Sequence, residues 1–356
     1  MGTSEIAAVE PQLIVERVGS IGRLRLNRPK ALNSLTLDMV RRMRKALDNF
    51  AQDPAVAAVL VSGEGDRGLC AGGDIRAIYE SGRAGTDLAV TFWREEFVLN
   101  ATISRFPKPY IAIIDGIVMG GGVGVSAHGS HRIVTERTRL ALPETGIGYF
   151  PDIGATWLLS RGPGDFGTYL GLTGEQIGAA DAIEAGLADV FVPSAELAAL
   201  VDALSALPSG SGQEEIDTAL QRFSQPSPPA ASNRAAIDRL FAHDSLEAIV
   251  AALDAEDSAF AHGTRSVLLT KSPLSLKLTL RLLRLGRTSS TLKACLEREF
   301  AAAGKILSTR DFYEGIRAAV IDKDRSPNWS PDSLAAVTDD MVDAYLEPSL
   351  TPLFAA

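Results

Sequence analysis

An α/β fold with a helical C-terminal region is what this sequence predicts, and three observations predict it. Strand-like and helix-like segments alternate from Leu13 to Leu142, the pattern of α/β proteins. Helical periodicity dominates after Pro151. Two glycine-bearing turns, Gly68-Leu-Cys-Ala-Gly-Gly-Asp74 and Gly120-Gly121-Gly122, interrupt the alternating part beside strand-like runs. At 356 residues the chain suits one large domain with an appendage, or two modest domains. The expected division is a core over residues 1–200 and a helical region over residues 201–356 that completes the fold.

The elements follow in order. Leu13 to Val18 and Ile21 to Asn27 read as strands joined at Gly19-Ser20, a hairpin. Thr36 is placed to cap a helix reaching Gln52, with Met39, Val40, Met43, Leu47 and Phe50 on one stripe. Val56 to Ser62 is a strand of the fully buried kind, and Leu88 to Ser104 is helical. Pro107 and Pro109 bracket the start of a strand, Tyr110 to Asp115. Val123 to His128 reads as a helix opened by the glycine run, and Ile133 to Thr135 and Arg139 to Leu142 as short strands. Pro208 to Gly212 and Pro226 to Ser232 are loop-like, and Leu274 to Leu285 is an amphipathic helix.

Composition narrows the class. An apolar share of 46% and a charged share of 22% are ordinary for a globular protein. A net charge of −9 argues against nucleic acid, which needs a basic face. Cys70 and Cys295 give no disulfide framework and fit a reducing compartment. No apolar run is long enough to cross a bilayer. The first ten residues show neither a signal core nor an Arg-rich transit pattern, so a cytoplasmic location is expected.

The glycine turns carry the chemistry. Glycine lets backbone approach a ligand closely, and two such turns allow two N–H groups to point at one oxygen. An acyl carbonyl with its oxygen between the N–H groups of Gly73 and Gly121 would find an oxyanion hole there. Proton transfer then needs a carboxylate nearby. Glu144, in Leu142-Pro-Glu-Thr-Gly146, and Asp152, in Phe150-Pro-Asp-Ile-Gly154, are the candidates. Asp152 also suits a helix N-cap, and Glu144 a surface turn. Gly122-Val-Gly124-Val-Ser-Ala127 matches a dinucleotide fingerprint, but it lies mid-chain and too far beyond the preceding strand. Close helix packing without a ligand also accounts for such glycines. Ser126 and His128 lack a nucleophile elbow's closing glycine, and His128 and His131 lack zinc spacing. Cys70 reads as a small buried residue.

Taken together, Asn27-Arg-Pro-Lys-Ala-Leu-Asn33, Cys70-Ala-Gly-Gly-Asp74, Lys108-Pro, Asp115-Gly with Gly120-Gly121-Gly122, and Leu142-Pro-Glu144 resemble the enoyl-CoA hydratase/isomerase (crotonase) superfamily. The resemblance spans Leu13 to Pro193 and resumes from Asp311 to Trp329. It implies a crotonase-like spiral of ββα units with helical C-terminal elements, oxyanion donors on Gly73 and Gly121, acyl-CoA as the partner, and homo-oligomers, trimers or larger. It implies no cofactor and no metal, coenzyme A being part of the substrate, and no nucleic-acid or membrane partner.

One departure selects the branch. Hydratases of this family use two glutamates, and the position of the first, after the glycine run, is Gly124 here. Glu144 alone remains, which suits hydrolysis, because a thiolate leaves without strong acid assistance. Arg94-Glu-Glu-Phe97, Met119 to Gly124, Pro143 to Gly148, Pro151-Asp152 and Ile321 to Trp329 resemble the branch that hydrolyses short 3-hydroxyacyl-CoA thioesters, 3-hydroxyisobutyryl-CoA of valine catabolism above all. The positions carried over by that resemblance are Glu96, Gly121, Glu144 and Asp152. They imply Glu144 as nucleophile or general base, and Asp152 as acceptor of the substrate's 3-hydroxyl. Arg28, Lys30 and Ala71 are the candidates for holding CoA. The rival readings are an enoyl-CoA hydratase or isomerase, and a CoA-binding protein without turnover.

Overall fold

The computed structural model describes residues 10–230 and 233–354. All but the last of the first ten residues, on which the reading of no signal core and no transit pattern rests, lie outside those described, and so do the last two residues of the loop expected over 226–232.

Among the described residues, eight strands alternate with helices through the first part of the chain: β1 (Leu13–Val18), β2 (Ile21–Leu26), β3 (Ala58–Gly63), β4 (Tyr110–Ile114), β5 (Ile117–Met119), β6 (His131–Val134), β7 (Arg139–Ala141) and β8 (Val190–Phe191). Six of them form one sheet in the order β1-β2-β3-β4-β6-β8. The predicted hairpin is present, with Leu13 opposite Leu26 and Val18 opposite Ile21. All other pairs in the sheet are parallel. β5 and β7 make a separate parallel pair.

The helices between and after the strands are α1 (Leu37–Gln52), α2 (Ile75–Ala84), α3 (Leu88–Ile103), α4 (Gly121–Gly124), α5 (Ala155–Leu158), α6 (Phe166–Thr173), α7 (Ala179–Glu184), α8 (Leu197–Ser205) and α9 (Gln213–Gln221). Then come α10 (Arg234–Leu240), α11 (Leu246–Ala255), α12 (Ala259–Leu268), α13 (Pro273–Thr288), α14 (Leu292–Ile306), α15 (Arg310–Ile316) and α16 (Asp339–Leu346). Thr36 caps α1 as expected, its hydroxyl accepting the Met39 N–H. Helix α2 is absent from the sequence reading. Asp74 caps it, accepting the Ala77 N–H, and so closes the first glycine turn. The helix expected over Val123 to His128 instead begins earlier, at Gly121, and lasts one turn.

Alternation along the strands sorts side chains onto two faces. Ala58 and Leu60 of β3, with Ile111 and Ile113 of β4, face Leu200 and Leu204 of α8 and Ile216 and Leu220 of α9. Val59 and Val61, Ala112 and Ile114 face the larger core, which α1, α3, α13 and α14 share. Each fully buried Leu, Ile or Val contributes roughly 1.5–3 kcal/mol. Leu69 and Cys70 of the first glycine turn and Val123 after the second belong to the larger core, so the glycine turns stand on that side of the sheet.

Candidate active site

The two glycine turns are laced side by side. The Cys70 N–H donates to the Ile117 carbonyl at 3.2 Å, and the Met119 N–H donates back to the Cys70 carbonyl at 2.9 Å. Gly120 then takes φ +48°, which L side chains rarely adopt, and turns the chain into α4. Neighbouring amides are spent within the fold: Ala71 on Leu32, Asp74 on Leu35, Val123 on Gly120. The N–H groups of Gly73 and Gly121 have no acceptor among the described residues. The point where Gly121 would carry a Cβ lies 3.3 Å from the Gly73 nitrogen. Two unspent donors therefore border one small space that a side chain would fill, the geometry an oxyanion hole needs.

Three carboxyls surround that space. Glu144 opens a 3-10 turn, Glu144–Ile147, directly after β7, and is 6% exposed. Its Oε1 lies 3.0 Å from where a Cβ on Gly120 would stand, and its Oε2 has no hydrogen-bond partner. Glu96, on the buried face of α3, stands against Gly121 with Oε1 unpartnered. Asp152 accepts the Tyr149 hydroxyl at 2.9 Å. Burial, with Asp152 and Glu144 as like-charged neighbours, holds the Glu96 carboxyl well above the usual range. Burial and the Asp152 charge do the same to Glu144. Burial pushes Asp152 up to about 7, against the opposing pull of the Tyr149 hydrogen bond.

The capping reading of Asp152 does not hold. Helix α5 starts at Ala155, whose N–H donates to the Asp152 backbone carbonyl at 2.8 Å; the amides on either side donate to Glu299 of α14, Gly154 at 2.6 Å and Thr156 at 3.0 Å, as does the Thr156 hydroxyl at 2.5 Å, and none donates to the Asp152 carboxyl. Positive φ at Ile153 (60°) and Gly154 (79°) turns the chain between Asp152 and the helix. The Asp152 carboxyl is directed at Tyr149 and the other acids instead.

Sequence reading overlooked Tyr149, Asn100 and Glu299. Tyr149 stacks on Trp93 at 5.5 Å between centroids and on Phe150 at 4.5 Å, which fixes the hydroxyl that meets Asp152. Asn100, one turn beyond Glu96 on α3, is wholly buried with neither end of its amide partnered. Its Nδ2 lies 2.8 Å, and the Ile153 Cβ 3.0 Å, from the Cβ position of Gly124. The place that a second glutamate would need is occupied. A signal for two of these residues exists in the sequence. Glu96 and Asn100 share the stripe of Ala89, Phe92, Trp93 and Ile103, and Glu299 shares that of Leu292, Cys295, Leu296 and Ile306. A polar residue at an apolar stripe position is buried by the helix period alone.

Other candidates fall into structural places. The Ser126 hydroxyl donates to the Gly122 carbonyl at 2.7 Å, and His128 Nε2 donates to the Ile153 carbonyl at 2.7 Å, so the two form no nucleophilic pair. Burial pushes the Cys70 thiol up to about 12, as an inert core residue. Arg28 donates to the Ser34 carbonyl and hydroxyl and pairs with Asp74 at 3.0 Å, tying the first family motif to the cap of α2. Lys30 is exposed and forms no ion pair among the described residues. Ala71 is half-buried in the first glycine turn. Among the described residues no group of three or more His, Cys, Asp or Glu is placed to hold a metal, and no helix is long and apolar enough to cross a membrane.

Residues 21–346 match the family model described as enoyl-CoA hydratase/isomerase. A zebrafish (Danio rerio) protein, 3-hydroxyisobutyryl-CoA hydrolase, mitochondrial, is 43% identical over 93% of this chain and 88% of its own length. That relative is mitochondrial by name, which overturns the expectation of a cytoplasmic location. A carnitinyl-CoA dehydratase from Mycobacterium thermoresistibile superposes with TM-score 0.92 at 42% identity, over 97% of this chain and 99% of that one. An enoyl-CoA hydratase from Rhodobacter sphaeroides 2.4.1 superposes with TM-score 0.85 at 40% identity, over 95% and 98%. The fold is that of these crotonase-type proteins, a mixed α/β body with a helical C-terminal region.

Proposed function

The chain belongs to the enoyl-CoA hydratase/isomerase family, and from that membership and the site we propose that it hydrolyses a short 3-hydroxyacyl-CoA thioester, 3-hydroxyisobutyryl-CoA, to the hydroxy acid and CoA. The observation that carries the reading is the filled space at Gly124: Asn100 and Ile153 leave no room for a second glutamate there. Glu144 is then the one glutamate supplied by the turns around the paired donors. The thioester oxygen is taken to sit between the N–H groups of Gly73 and Gly121, which stabilise the charge developing on it; losing one such donor costs about 10²–10³ in rate. Glu144 attacks the carbonyl carbon and expels the CoA thiolate, leaving an acyl-enzyme anhydride that water then hydrolyses, the acid and the regenerated carboxylate forming as the thiolate takes up the proton of that water; or Glu144 draws a proton from water that attacks the carbon directly, and passes it to the departing thiolate. Asp152 accepts the 3-hydroxyl, and Glu96 lines the acyl end. Lys30, exposed and without an ion pair among the described residues, is the freer of the two basic candidates for a CoA phosphate, since Arg28 is already engaged.

A dehydration reading has one observation in its favour. A buried acid pushed up to about 7, as Asp152 is, can protonate a departing 3-hydroxyl. One assay separates the two. Given 3-hydroxyisobutyryl-CoA, the hydrolase releases free thiol, whereas a dehydratase produces enoyl absorbance and no thiol. Glu144→Gln should lower thiol release by about 10²–10⁴-fold while CoA still binds. Enoyl product in place of thiol, or an unchanged rate in that variant, would end this reading.

A further inference from the structure

The peptide unit joining Ile153 to Gly154 is gripped at both ends by buried side chains from distant elements. Its carbonyl accepts His128 Nε2 at 2.7 Å, and its N–H donates to Glu299 Oε2 at 2.6 Å. A carbonyl can only accept, so the Nε2 of His128 carries the proton. Burial pushes His128 down to about 4, which keeps the imidazole neutral at physiological pH. The other oxygen of Glu299 takes the N–H and hydroxyl of Thr156.

What this grip holds is a strained conformation. Ile153 is β-branched, wholly buried, and sits at φ 60°, where such a residue is a genuine outlier. Strain of this kind persists only when the surroundings over-determine it, and it collects at functional sites. Nor can the following glycine give way to a side chain. A Cβ on Gly154 would meet Leu292 Cδ1 at 2.7 Å and His128 Cε1 at 2.9 Å. The strained pair lies directly after Asp152, and its turn aims that carboxyl away from the helix and toward Tyr149 and Glu144.

We infer that Glu299, with His128 opposite, is a positioning residue: by pinning the Ile153–Gly154 peptide it fixes the Asp152 carboxyl where the substrate's 3-hydroxyl must be recognised. Glu299 touches neither substrate nor reacting atoms, and its effect passes through Asp152. The inference rests on the hydrolase reading of Asp152.

The test compares thiol release from 3-hydroxyisobutyryl-CoA with that from isobutyryl-CoA, which lacks the hydroxyl. Glu299→Gln preserves volume but has one acceptor oxygen, so one of the two grips is lost. The ratio of kcat/KM for the hydroxylated over the plain thioester should fall about 10-fold in this variant. Its kcat/KM on isobutyryl-CoA should change by less than about twofold, because only recognition of the hydroxyl is disturbed. Adding Glu299→Gln to Asp152→Ala should lower the ratio no further, as residues acting through one another are not additive. A folded Glu299→Gln enzyme with the wild-type ratio overturns the proposal. Where that variant fails to fold, Thr156→Val, which removes only the hydroxyl grip, is read on the same ratio, and an unchanged ratio overturns the proposal equally. Wild-type enzyme that releases thiol from both without preference would instead overturn the assignment of Asp152 to the 3-hydroxyl, and wild-type enzyme that releases no thiol from either would overturn the hydrolase reading beneath it.

Discussion

Asp152 and Glu299 are acids kept in apolar surroundings, and this carries a stability cost that depends on pH. Burial pushes Asp152 up to about 7 and Glu299 up to about 8, above their ordinary values of 3.8 and 4.5. The folded state therefore binds these protons more tightly than the unfolded chain does. Stability from that preference is fully present below pH ~4 and is lost as pH rises through about 7 and about 8. Asp152→Asn removes one of the two titrations, and its amide oxygen can still accept the Tyr149 hydroxyl. At pH 8 this variant should melt several degrees above wild type, given roughly 2 °C or less per kcal/mol for a chain of this size. The gap should close on approaching pH 4. Equal melting temperatures at pH 8 would mean that Asp152 is not desolvated as the structure has it. Activity should fall in the same variant, so the acid is retained for its chemistry at the expense of the fold.

One turn of helix, α4, sets how closely the site's backbones approach. A Cβ on Gly122 would meet the Cys70 Cβ at 3.0 Å, and one on Gly124 would meet Asn100 at 2.8 Å. Crowding of this kind costs typically 1–3 kcal/mol when an atom is forced in. Gly124→Ala should accordingly lower the free energy of unfolding, measured by denaturant titration, by that amount, and Gly124→Glu should fail to confer hydration of crotonyl-CoA. A Gly124→Ala protein as stable as wild type would show that α3 yields freely. The glycines themselves were readable in the sequence because their spacing is local, and so were the hairpin, α1 and the Pro-Glu turn. Helix α2 escaped because its ten residues offer Ile78 and Ser81 as the only buried positions and no long stripe. Glu299 escaped for a different reason. It lies far along the chain from Gly154, and beside Glu297 and Arg298 it resembles a solvated charge unless the helix period is followed.

At the scale of the molecule, the site is closed by parts of the chain that the sequence reading set apart as residues 201–356. Phe300 of α14 meets Phe97 of α3 edge-on at 6.3 Å, and Phe312 of α15 meets Trp93 at 6.1 Å. Arg94, next to the Glu95-Glu96 pair, lies over Phe300 at 4.5 Å and donates to the carbonyls of Thr351 and Pro352. Helices α8 and α9 cover the opposite face of the sheet. We propose that the C-terminal region completes the core rather than appending to it, because one contiguous cluster of buried residues runs from Leu13 to Leu353. A chain ending at residue 200 would expose both the α3 stripe and the outer sheet face, and would lose Glu299. It should show no cooperative thermal transition and bind an apolar dye, while the full chain melts in a single step. A truncated protein that melts cooperatively would overturn this reading and make the grip on Asp152 an addition to a finished fold. Without such independence, the Asp152 carboxyl, to which the proposed function gives recognition of the hydroxyl, is set in place only when residues 201–356 have packed.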